Sequence, residues 1–352
     1  MMAPRTADVG IIGCGIAGAT LADSLLRRGA TVVVFDSPLR AAVTRHAGAI
    51  SPVAGLRFGI LEQWEQWWKA AEHFYAQFDA IREIPCYRLL YRSDELGFWE
   101  RKRPLLEQSN IAYEASLPSD VASVLVPPAA TVYFTHAARI NATRVLENVQ
   151  RQLRKAECYC CATIHPEHIR LLADRSEIMG YYCRHVVVCD GPWMAINKWF
   201  SWVPRMFARG QRIWGVVETT QRLAPVWLSI RGKSLMLEAN RFIFGSTYDW
   251  SLVEPVATAD SVEYLCNELR KILRCAFSVQ GTWAGVRPIT ADLHPVIGEH
   301  PECSRWWVFN GLGSRGLLIA PLLAEKLASA ILEGYPIPKQ FDVRRFLQNR
   351  QQ

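Results

Sequence analysis

The sequence predicts a mixed α/β fold in which two domains are assembled from alternating parts of the chain. Three observations support this prediction. A strand, a glycine-rich loop, a helix and a second strand follow one another over residues 8–36. A second glycine-rich loop, NGLGSRGLLIAP at 310–321, opens an apolar helix near the end of the chain. Between them, stretches such as RGQRIWGVVE and RFIFGSTYDW are typical of strands in a mostly antiparallel sheet.

The first glycine loop lies in DVGIIGCGIAGATLADSLLRRGATVVVFD, which contains every part of a βαβ unit in order. A short buried strand precedes Gly13-x-Gly15-x-x-Gly18, and Gly29 ends the helix that follows. Gly13 permits the tight turn, Gly15 lets a pyrophosphate approach the backbone, and Gly18 lets helix and strand pack closely. The unit therefore predicts a Rossmann-like domain with a dinucleotide at the start of its helix.

Asp36 stands at the end of the second strand, where a carboxylate accepts hydrogen bonds from an adenosine ribose. A phosphate on that ribose would be repelled, so the residue argues against NADP. FAD and NAD both stay open on this unit alone. A glycine-rich turn in an unrelated α/β protein is the alternative interpretation.

The middle of the chain supplies further predicted elements. GILEQWEQWWKAAEHFYAQFDAI has helical periodicity, and we expect its tryptophans in the core or a pocket wall. Residues 138–156 predict a helix with a basic, solvated face, and HVVVCDGPW predicts a buried strand. GTWAGVRPITADLHPVIGEHP is interpreted as a turn-rich crossing. WWVFN then predicts a last strand before the final helix, which ends near Gly334.

The second glycine loop has three glycines, Gly311, Gly313 and Gly316, and one arginine, Arg315. The first N–H groups of a helix have no partner inside it, and the helix dipole favours negative charge at that end. The loop thus predicts a second anion-binding position. A structural cap without a ligand is the alternative.

The composition excludes few classes of protein or ligand. The net charge of +7 is compatible with an anionic ligand, a nucleic acid or a membrane surface and requires none of them. The ten cysteines are too sparse for a disulfide scaffold and lack paired zinc-knuckle spacing, so we predict no metal site. The apolar start is interrupted by glycines, and no uncharged run reaches the length of a membrane span. We therefore expect a cytoplasmic protein.

The order of these motifs resembles that of the FAD-dependent D-amino-acid oxidase, glycine oxidase and sarcosine oxidase superfamily. The resemblance rests on the first glycine loop and on TRHAGAISP, VVVCDGPW, RGQ, FIFGSTYDW, WAGVRPITADLHPVIG and FNGLGSRGLLIAPLLAEKLA. The closing stretches look most like the oxidase domain of the bifunctional enzymes that build 5-methylaminomethyl-2-thiouridine in tRNA. The resemblance implies a Rossmann-like FAD-binding domain from residues 1–60, 136–204 and 286–352. It also implies a mostly antiparallel α+β substrate domain from 61–135 and 205–285.

The same resemblance implies which residues bind FAD. The first loop would hold the pyrophosphate, and the second would lie beside the flavin ring, where helix N–H groups stabilise the negative charge of reduced flavin. The implied set is Gly13, Gly15, Ile16, Ala17, Gly18, Asp36, Ser37, Thr44, Arg45, His46, Ala47, Gly48, Asp190, Gly191, Trp193, Gly311, Gly313, Ser314, Arg315, Gly316 and Leu317. His46 would either donate a hydrogen bond or be linked covalently to the flavin.

Three residues are candidates for the substrate side. Arg287 matches the arginine that grips the substrate carboxylate in glycine oxidase-like enzymes, a task that suits its planar fork. Pairing of Arg287 with Asp292 is the alternative. Arg315 would sit at the flavin edge or face the substrate. Tyr248 would line the pocket or, equally well, pack in the core.

The resemblance implies oxidation of the C–N bond of a primary or secondary amine by hydride transfer to flavin, with a small amine or amino acid as substrate. A second hypothesis is a standalone oxidase that removes carboxymethyl from a tRNA wobble uridine and needs a separate methyltransferase partner. A third is a flavoprotein subunit that passes electrons to a partner.

Overall fold

The computed structural model describes residues 5–37, 48–196, 198–250 and 254–351. The helices in these ranges are α1 Ile16–Arg27, α2 Trp64–Ala76, α3 Ser93–Gln108, α4 Ser119–Ser123, α5 Ala142–Lys155, α6 Ala259–Arg270 and α7 Gly316–Glu333. The strands are β1 Arg5–Ile12, β2 Val32–Asp36, β3 Ala49–Ile50, β4 Val53–Ala54, β5 Gly59–Ile60, β6 Ile81–Glu83, β7 Cys86–Leu90, β8 Ala112–Glu114, β9 Ala130–Phe134, β10 Ala138–Ile140, β11 Tyr159–Cys161, β12 Ile169–Leu171, β13 Ser176–Ile178, β14 Tyr181–Val188, β15 Arg205–Val217, β16 Leu223–Ile230, β17 Lys233–Ala239, β18 Arg241–Gly245, β19 Phe277–Thr290, β20 Val296–Glu299 and β21 Trp306–Asn310.

The first sheet has eight strands and a parallel centre in the order β11-β2-β1-β14-β21. Its central strands are almost wholly apolar, as expected for parallel strands covered on both faces. Helices α1 and α7 lie in one core with α2 and α5. Because the five central strands run parallel, their carboxyl ends meet at one edge, and both glycine loops leave the sheet there.

The second sheet also has eight strands, in the order β19-β15-β18-β17-β16-β7-β9-β8, and is antiparallel except where β16 meets β7. It encloses its own hydrophobic core, which includes α6 and residues from β15 to β18. The mostly antiparallel character predicted for the intervening segments is therefore confirmed. The domain boundaries stay a prediction.

The interpretation of GTWAGVRPITADLHPVIGEHP as a turn-rich crossing is wrong for its first half. Residues 277–290 form β19, which pairs with β15 along its length. Pro288 misled the interpretation, because proline interrupts central strands but is tolerated at a sheet edge, and β19 is an edge strand. Only the residues between β19 and β20 form a turn.

Two helix predictions are sharpened. The helix predicted for 138–156 begins at Ala142, because Asn141 caps it by accepting a hydrogen bond from the Arg144 N–H, and 138–140 form a strand instead. In α2, Trp67 and Trp68 are buried against the first sheet's core, as predicted.

Within the described ranges, no helix is long and apolar enough to span a bilayer.

Candidate active site

A cavity of about 600 Å³ opens at the carboxyl edge of the first sheet and extends to the second sheet. Most of the predicted cofactor-binding residues that are described line it: Gly13, Gly15, Ile16, Ala17, Asp36, Ser37, Gly48, Asp190, Gly191, Trp193, Gly313, Ser314, Arg315, Gly316 and Leu317. Arg287 and Tyr248 line the same cavity from the second sheet. The described part of the chain thus brings both glycine loops and the predicted substrate residues to one space.

The three glycines of the first loop have different surroundings. Gly13 has φ +101°, and a Cβ there would lie 2.5 Å from the Cys189 carbonyl oxygen. A Cβ on Gly18 would lie 1.9 Å from the Gly13 carbonyl oxygen, so Gly18 serves helix–strand packing behind the cavity wall. A Cβ on Gly15 would meet nothing within 4 Å. Gly15 therefore leaves its backbone open to a ligand at the start of α1.

Asp36 is fixed in place before any ligand binds. Its Oδ1 accepts a hydrogen bond from the Cys14 N–H at 2.9 Å. Its Oδ2 accepts from the Tyr159 hydroxyl at 2.9 Å and from Gln150 Nε2 at 3.3 Å. A carboxylate has about four acceptor positions, so capacity for a ribose hydroxyl is left. Sequence reasoning missed Tyr159 and Gln150, since they come from elements far along the chain.

The second loop is held by a side chain that sequence reasoning also missed. Asn310 is only 2 % exposed, and its Nδ2 donates to Asp190 Oδ1 and to the Gly191 carbonyl, both at 3.0 Å. Its Oδ1 accepts from the Gly311 N–H at 2.8 Å. Asn310 therefore joins the end of β21 to the end of β14. Gly311 itself turns behind the cavity with φ +70°.

Beyond this joint, the chain enters α7. The Gly313 N–H donates to the Pro288 carbonyl at 2.9 Å, which ties the loop to β19. The Leu318 N–H donates to the Arg315 carbonyl. In the described structure, the N–H groups of residues 314–317 have no backbone acceptor. Buried Tyr75 donates its hydroxyl to the Leu317 carbonyl at 2.7 Å and so fixes the first turn. The open N–H groups border the cavity, as the loop's anion-binding interpretation requires.

Four predicted residues, Thr44, Arg45, His46 and Ala47, lie outside the described residues. The covalent His46–flavin bond therefore stays a prediction. Gly48, the first described residue after them, accepts a hydrogen bond from the Ile140 N–H at 2.9 Å and lines the cavity.

Arg287 lines the cavity from β19, with its guanidinium against Gly210. Its Nη2 donates to Ser246 Oγ, and its Nη1 is 3.4 Å from the Thr247 carbonyl oxygen and 3.5 Å from that of Ala208. The guanidinium carbon lies 4.3 Å from the centre of the Tyr248 ring, a cation–π distance. Burial lowers the pKa of this guanidinium. All of these partners are uncharged.

The two alternatives for these residues are wrong. Asp292 pairs with Arg345 rather than with Arg287, at 2.7 Å between Arg345 Nε and Asp292 Oδ2. Tyr248 is 49 % exposed and lines the cavity, so it does not belong to the core. Arg315 is exposed at the start of α7 and lines the cavity from that side.

A second arginine, Arg212 on β15, lines the cavity next to Arg287 and was not among the predicted site residues. Burial and the neighbouring charge of Arg287 lower its pKa to about 10. The motif RGQR offered a signal, because alternate residues of a strand share a face and Gly210 and Arg212 are two apart.

The fold and this site together define a flavoenzyme. The family described as FAD dependent oxidoreductase matches residues 8–330, and the chain belongs to it. The open backbone at Gly15 and the free N–H groups at 314–317 fit the two negatively charged parts of that cofactor, its pyrophosphate and its reduced ring.

Among curated relatives, the chain is 27% identical to the tRNA 5-methylaminomethyl-2-thiouridine biosynthesis bifunctional protein of Maricaulis maris, over 93% of this chain and 52% of that protein. It thus spans about half the length of that relative. It is 31% identical to a glycine oxidase of Bacillus licheniformis, over 29% of this chain and 28% of that one. Among solved structures, a glycine oxidase from Bacillus cereus superposes with a TM-score of 0.78 at 16% identity and covers 94% of this chain and 96% of its own.

Proposed function

We propose that this FAD-dependent oxidoreductase oxidises the C–N bond of a primary or secondary amine that carries a carboxylate. The observation that carries the proposal is Arg287, a partly buried guanidinium with only uncharged described partners, located where β19 is tied to the second glycine loop. A carboxylate is the anion that matches its planar fork.

The proposed roles of the chain's own residues are as follows. The loop at Gly13 and Gly15 and the carboxylate of Asp36 would hold the adenosine and pyrophosphate of FAD. The N–H groups of 314–317 would stabilise negative charge on the ring, and Arg287 would orient the substrate with Tyr248 above it. FAD, when bound, accepts the hydride. The substrate ammonium would first lose a proton to solvent, and the iminium left after hydride transfer would be hydrolysed by water, which breaks the C–N bond and gives a carbonyl compound and the released amine or ammonia.

A second candidate is the standalone tRNA oxidase, which would remove carboxymethyl from 5-carboxymethylaminomethyl-2-thiouridine. What favours it is the similarity to the bifunctional tRNA-modifying protein along 93% of this chain. The leaving carboxymethyl group also has a carboxylate for Arg287 to bind. This candidate would need a methyltransferase from a separate chain or from a segment beyond this sequence.

The experiment that tests the proposal is anaerobic bleaching of the purified holoenzyme's flavin absorbance. The panel contains glycine, sarcosine, several D-amino acids and tRNA that bears carboxymethylaminomethyluridine. We expect bleaching by at least one small carboxylated amine. Bleaching by the tRNA alone would favour the second candidate. A flavin that no compound in the panel reduces would contradict both and would leave the electron-transfer subunit.

A further inference from the structure

The cavity of the candidate active site extends well beyond Arg287. Its lining residues come from six consecutive strands of the second sheet, among them Arg287 on β19, Gly210 on β15, Gly245 on β18, Ser234 on β17, Ser229 on β16 and Arg88 on β7. Neighbouring strands lie about 4.8 Å apart, so this wall spans roughly 24 Å. A glycine or sarcosine bound to Arg287 would contact only one end of it.

Strand register brings two serines side by side in the distal part of this wall. Ser229 of β16 is paired directly with Ser234 of β17, and both residues line the cavity. Directly opposed residues of antiparallel strands have Cβ atoms about 4.5–5.5 Å apart, so one ligand group can contact both hydroxyls. Within the described ranges, neither hydroxyl is bonded to another side chain. Each can therefore donate to a ligand and accept from it.

The surroundings of the two serines are largely apolar. Trp227 and Met236 are paired two residues further along the same strands, and they line the cavity beside the serines. Residues 53–56 line it as well, and Arg88 ties them to the second sheet, because its Nη1 donates to the Gly55 carbonyl at 2.9 Å. The distal part of the cavity thus presents two hydroxyls next to an indole and a thioether.

The charges in this region favour a neutral ligand group. Lys233 Nζ lies 3.2 Å from Glu268 Oε2, which compensates its charge. The Arg88 guanidinium lies 4.3 Å from the centre of the Phe58 ring and is engaged there. The described carboxylates that line the cavity belong to the edge of the first sheet. The serine hydroxyls are therefore the groups best suited to a ligand here, and they suit an uncharged donor and acceptor.

The distance from Arg287 to the serines sets the length of the ligand. The Arg287 guanidinium is hydrogen-bonded to Ser246, which directly follows β18. Ser234 faces Gly245 at the end of β18, one strand away, and Ser229 lies one strand further. The serine pair is therefore roughly 5–10 Å from a carboxylate on Arg287. An extended chain of five bonds of about 1.5 Å each reaches into this range, whereas the shorter chains of glycine and sarcosine do not.

We propose that Ser229 and Ser234, with Trp227 and Met236 beside them, form a distal subsite of the active site. The substrate would be an elongated amine with its carboxylate on Arg287 and a neutral hydrogen-bonding group, such as a carboxamide, on the two serines. This inference rests on the proposed function, because it keeps the same C–N oxidation and adds a second binding group to the substrate.

Binding without turnover gives the first test. Adipamate has a carboxylate and a carboxamide at opposite ends of four methylene groups, and 6-methylheptanoate has the same shape with an isopropyl group in place of the carboxamide. Titration of the holoenzyme, followed by calorimetry and by the flavin spectrum, should show adipamate binding about fivefold or more tightly, because the isostere cannot make the hydrogen bonds. Succinamate, which is two methylene groups shorter, should have no such advantage over 4-methylpentanoate.

Two results of these titrations would overturn the inference. Equal affinities for adipamate and 6-methylheptanoate would show that no hydrogen-bonding subsite exists at this distance. Tighter binding of adipate than of adipamate would show that the distal part of the cavity selects an anion.

Variants separate this role from a structural one. Ser229→Ala and Ser234→Ala should each reduce the adipamate preference, and the double variant should abolish it. Ser278→Ala removes a hydroxyl from an exposed position of β19 outside the cavity and should leave the preference unchanged. If the double variant fails to fold, the two single variants carry the test. Retention of the full preference in the folded variants, or an equal loss in Ser278→Ala, would overturn the inference.

Turnover distinguishes failure of this inference from failure of the proposed function. N-(2-carbamoylethyl)glycine is adipamate with an NH group in place of one methylene, and sarcosine lacks its carbamoyl arm. We expect faster anaerobic flavin reduction by N-(2-carbamoylethyl)glycine at low concentration, through a lower apparent Kd. Reduction by sarcosine with no advantage for the longer amine would reject the distal subsite and retain the oxidase. A serine-dependent adipamate preference without reduction by any amine would retain the subsite and reject the oxidase.

Discussion

The two glycine loops reach the same cavity but are held in place by different means. The first is fixed largely by contacts within its own βαβ unit, where Gly18 lets the start of α1 pack directly against the Gly13 carbonyl. The second is fixed by distant partners, since Asn310 reaches Asp190 and Gly313 reaches Pro288. A local motif therefore defines the first loop, whereas tertiary contacts define the second.

The largest effect on folding is expected from a substitution in the first loop, at Gly18. In Gly18→Val the new Cβ would collide with the Gly13 carbonyl oxygen at 1.9 Å, against backbone that cannot move aside. We expect loss of the folded protein, measured as loss of soluble material with a cooperative thermal transition.

Gly15→Val is its matched control, because its Cβ meets nothing within 4 Å. The side chain would instead occupy the space assigned to the pyrophosphate. We expect a folded protein that binds no FAD, measured by circular dichroism and flavin absorbance. A yellow Gly15→Val protein would mean that the phosphates lie elsewhere.

A smaller effect is expected in the second loop. Asn310→Ala removes the bonds to Asp190, Gly191 and Gly311, and a hydrogen bond of this kind contributes about 1 kcal/mol to stability, more where one partner is charged. We expect a folded protein with a lower Tm and FAD affinity reduced by about tenfold or more. Fluorescence titration of the apoprotein with FAD measures this, and an unchanged affinity would show that the loop is positioned without Asn310.

The smallest effect is expected at Tyr75, which supports the second loop from beneath α7. Tyr75→Phe removes one hydroxyl and leaves the Leu317 carbonyl without this donor, a loss of about 1 kcal/mol in the free energy of unfolding. Denaturant titration would detect it. A loss of several kcal/mol would contradict this ranking and would make Tyr75 a stronger support of the second loop than Asn310.

The distinction between local and tertiary contacts also explains how much of the fold the sequence could predict. The βαβ unit, the last strand and the final helix follow from residues close together in sequence, and the structure bears them out. The sequence predicts a turn where the edge strand β19 lies, because its glycines and Pro288 are typical turn residues when the pairing with β15 is not known. Asn310 stood inside a recognised motif, but its partner Asp190 is brought near only by the parallel pairing of β14 with β21.

Arg212 shows the same limit within the candidate site. Its position two residues after Gly210 places it on one face of β15, but which face meets the cavity depends on pairing with β18 and β19. The sequence could therefore predict an arginine for one carboxylate. That Arg212 lies beside Arg287 can be recognised only when the register of β15 with β19 is known.

The most direct test of the account measures flavin reduction in Arg287→Gln against the wild-type holoenzyme. Sarcosine and dimethylamine form a matched pair, since they differ by the carboxylate that Arg287 is proposed to bind. We predict that Arg287→Gln keeps its FAD and loses about a hundredfold in the rate of reduction by sarcosine at subsaturating concentration, equivalent to about 3 kcal/mol, with dimethylamine unaffected. Wild-type rates with sarcosine, or loss of FAD from the variant, would contradict the assignment of Arg287 to the substrate.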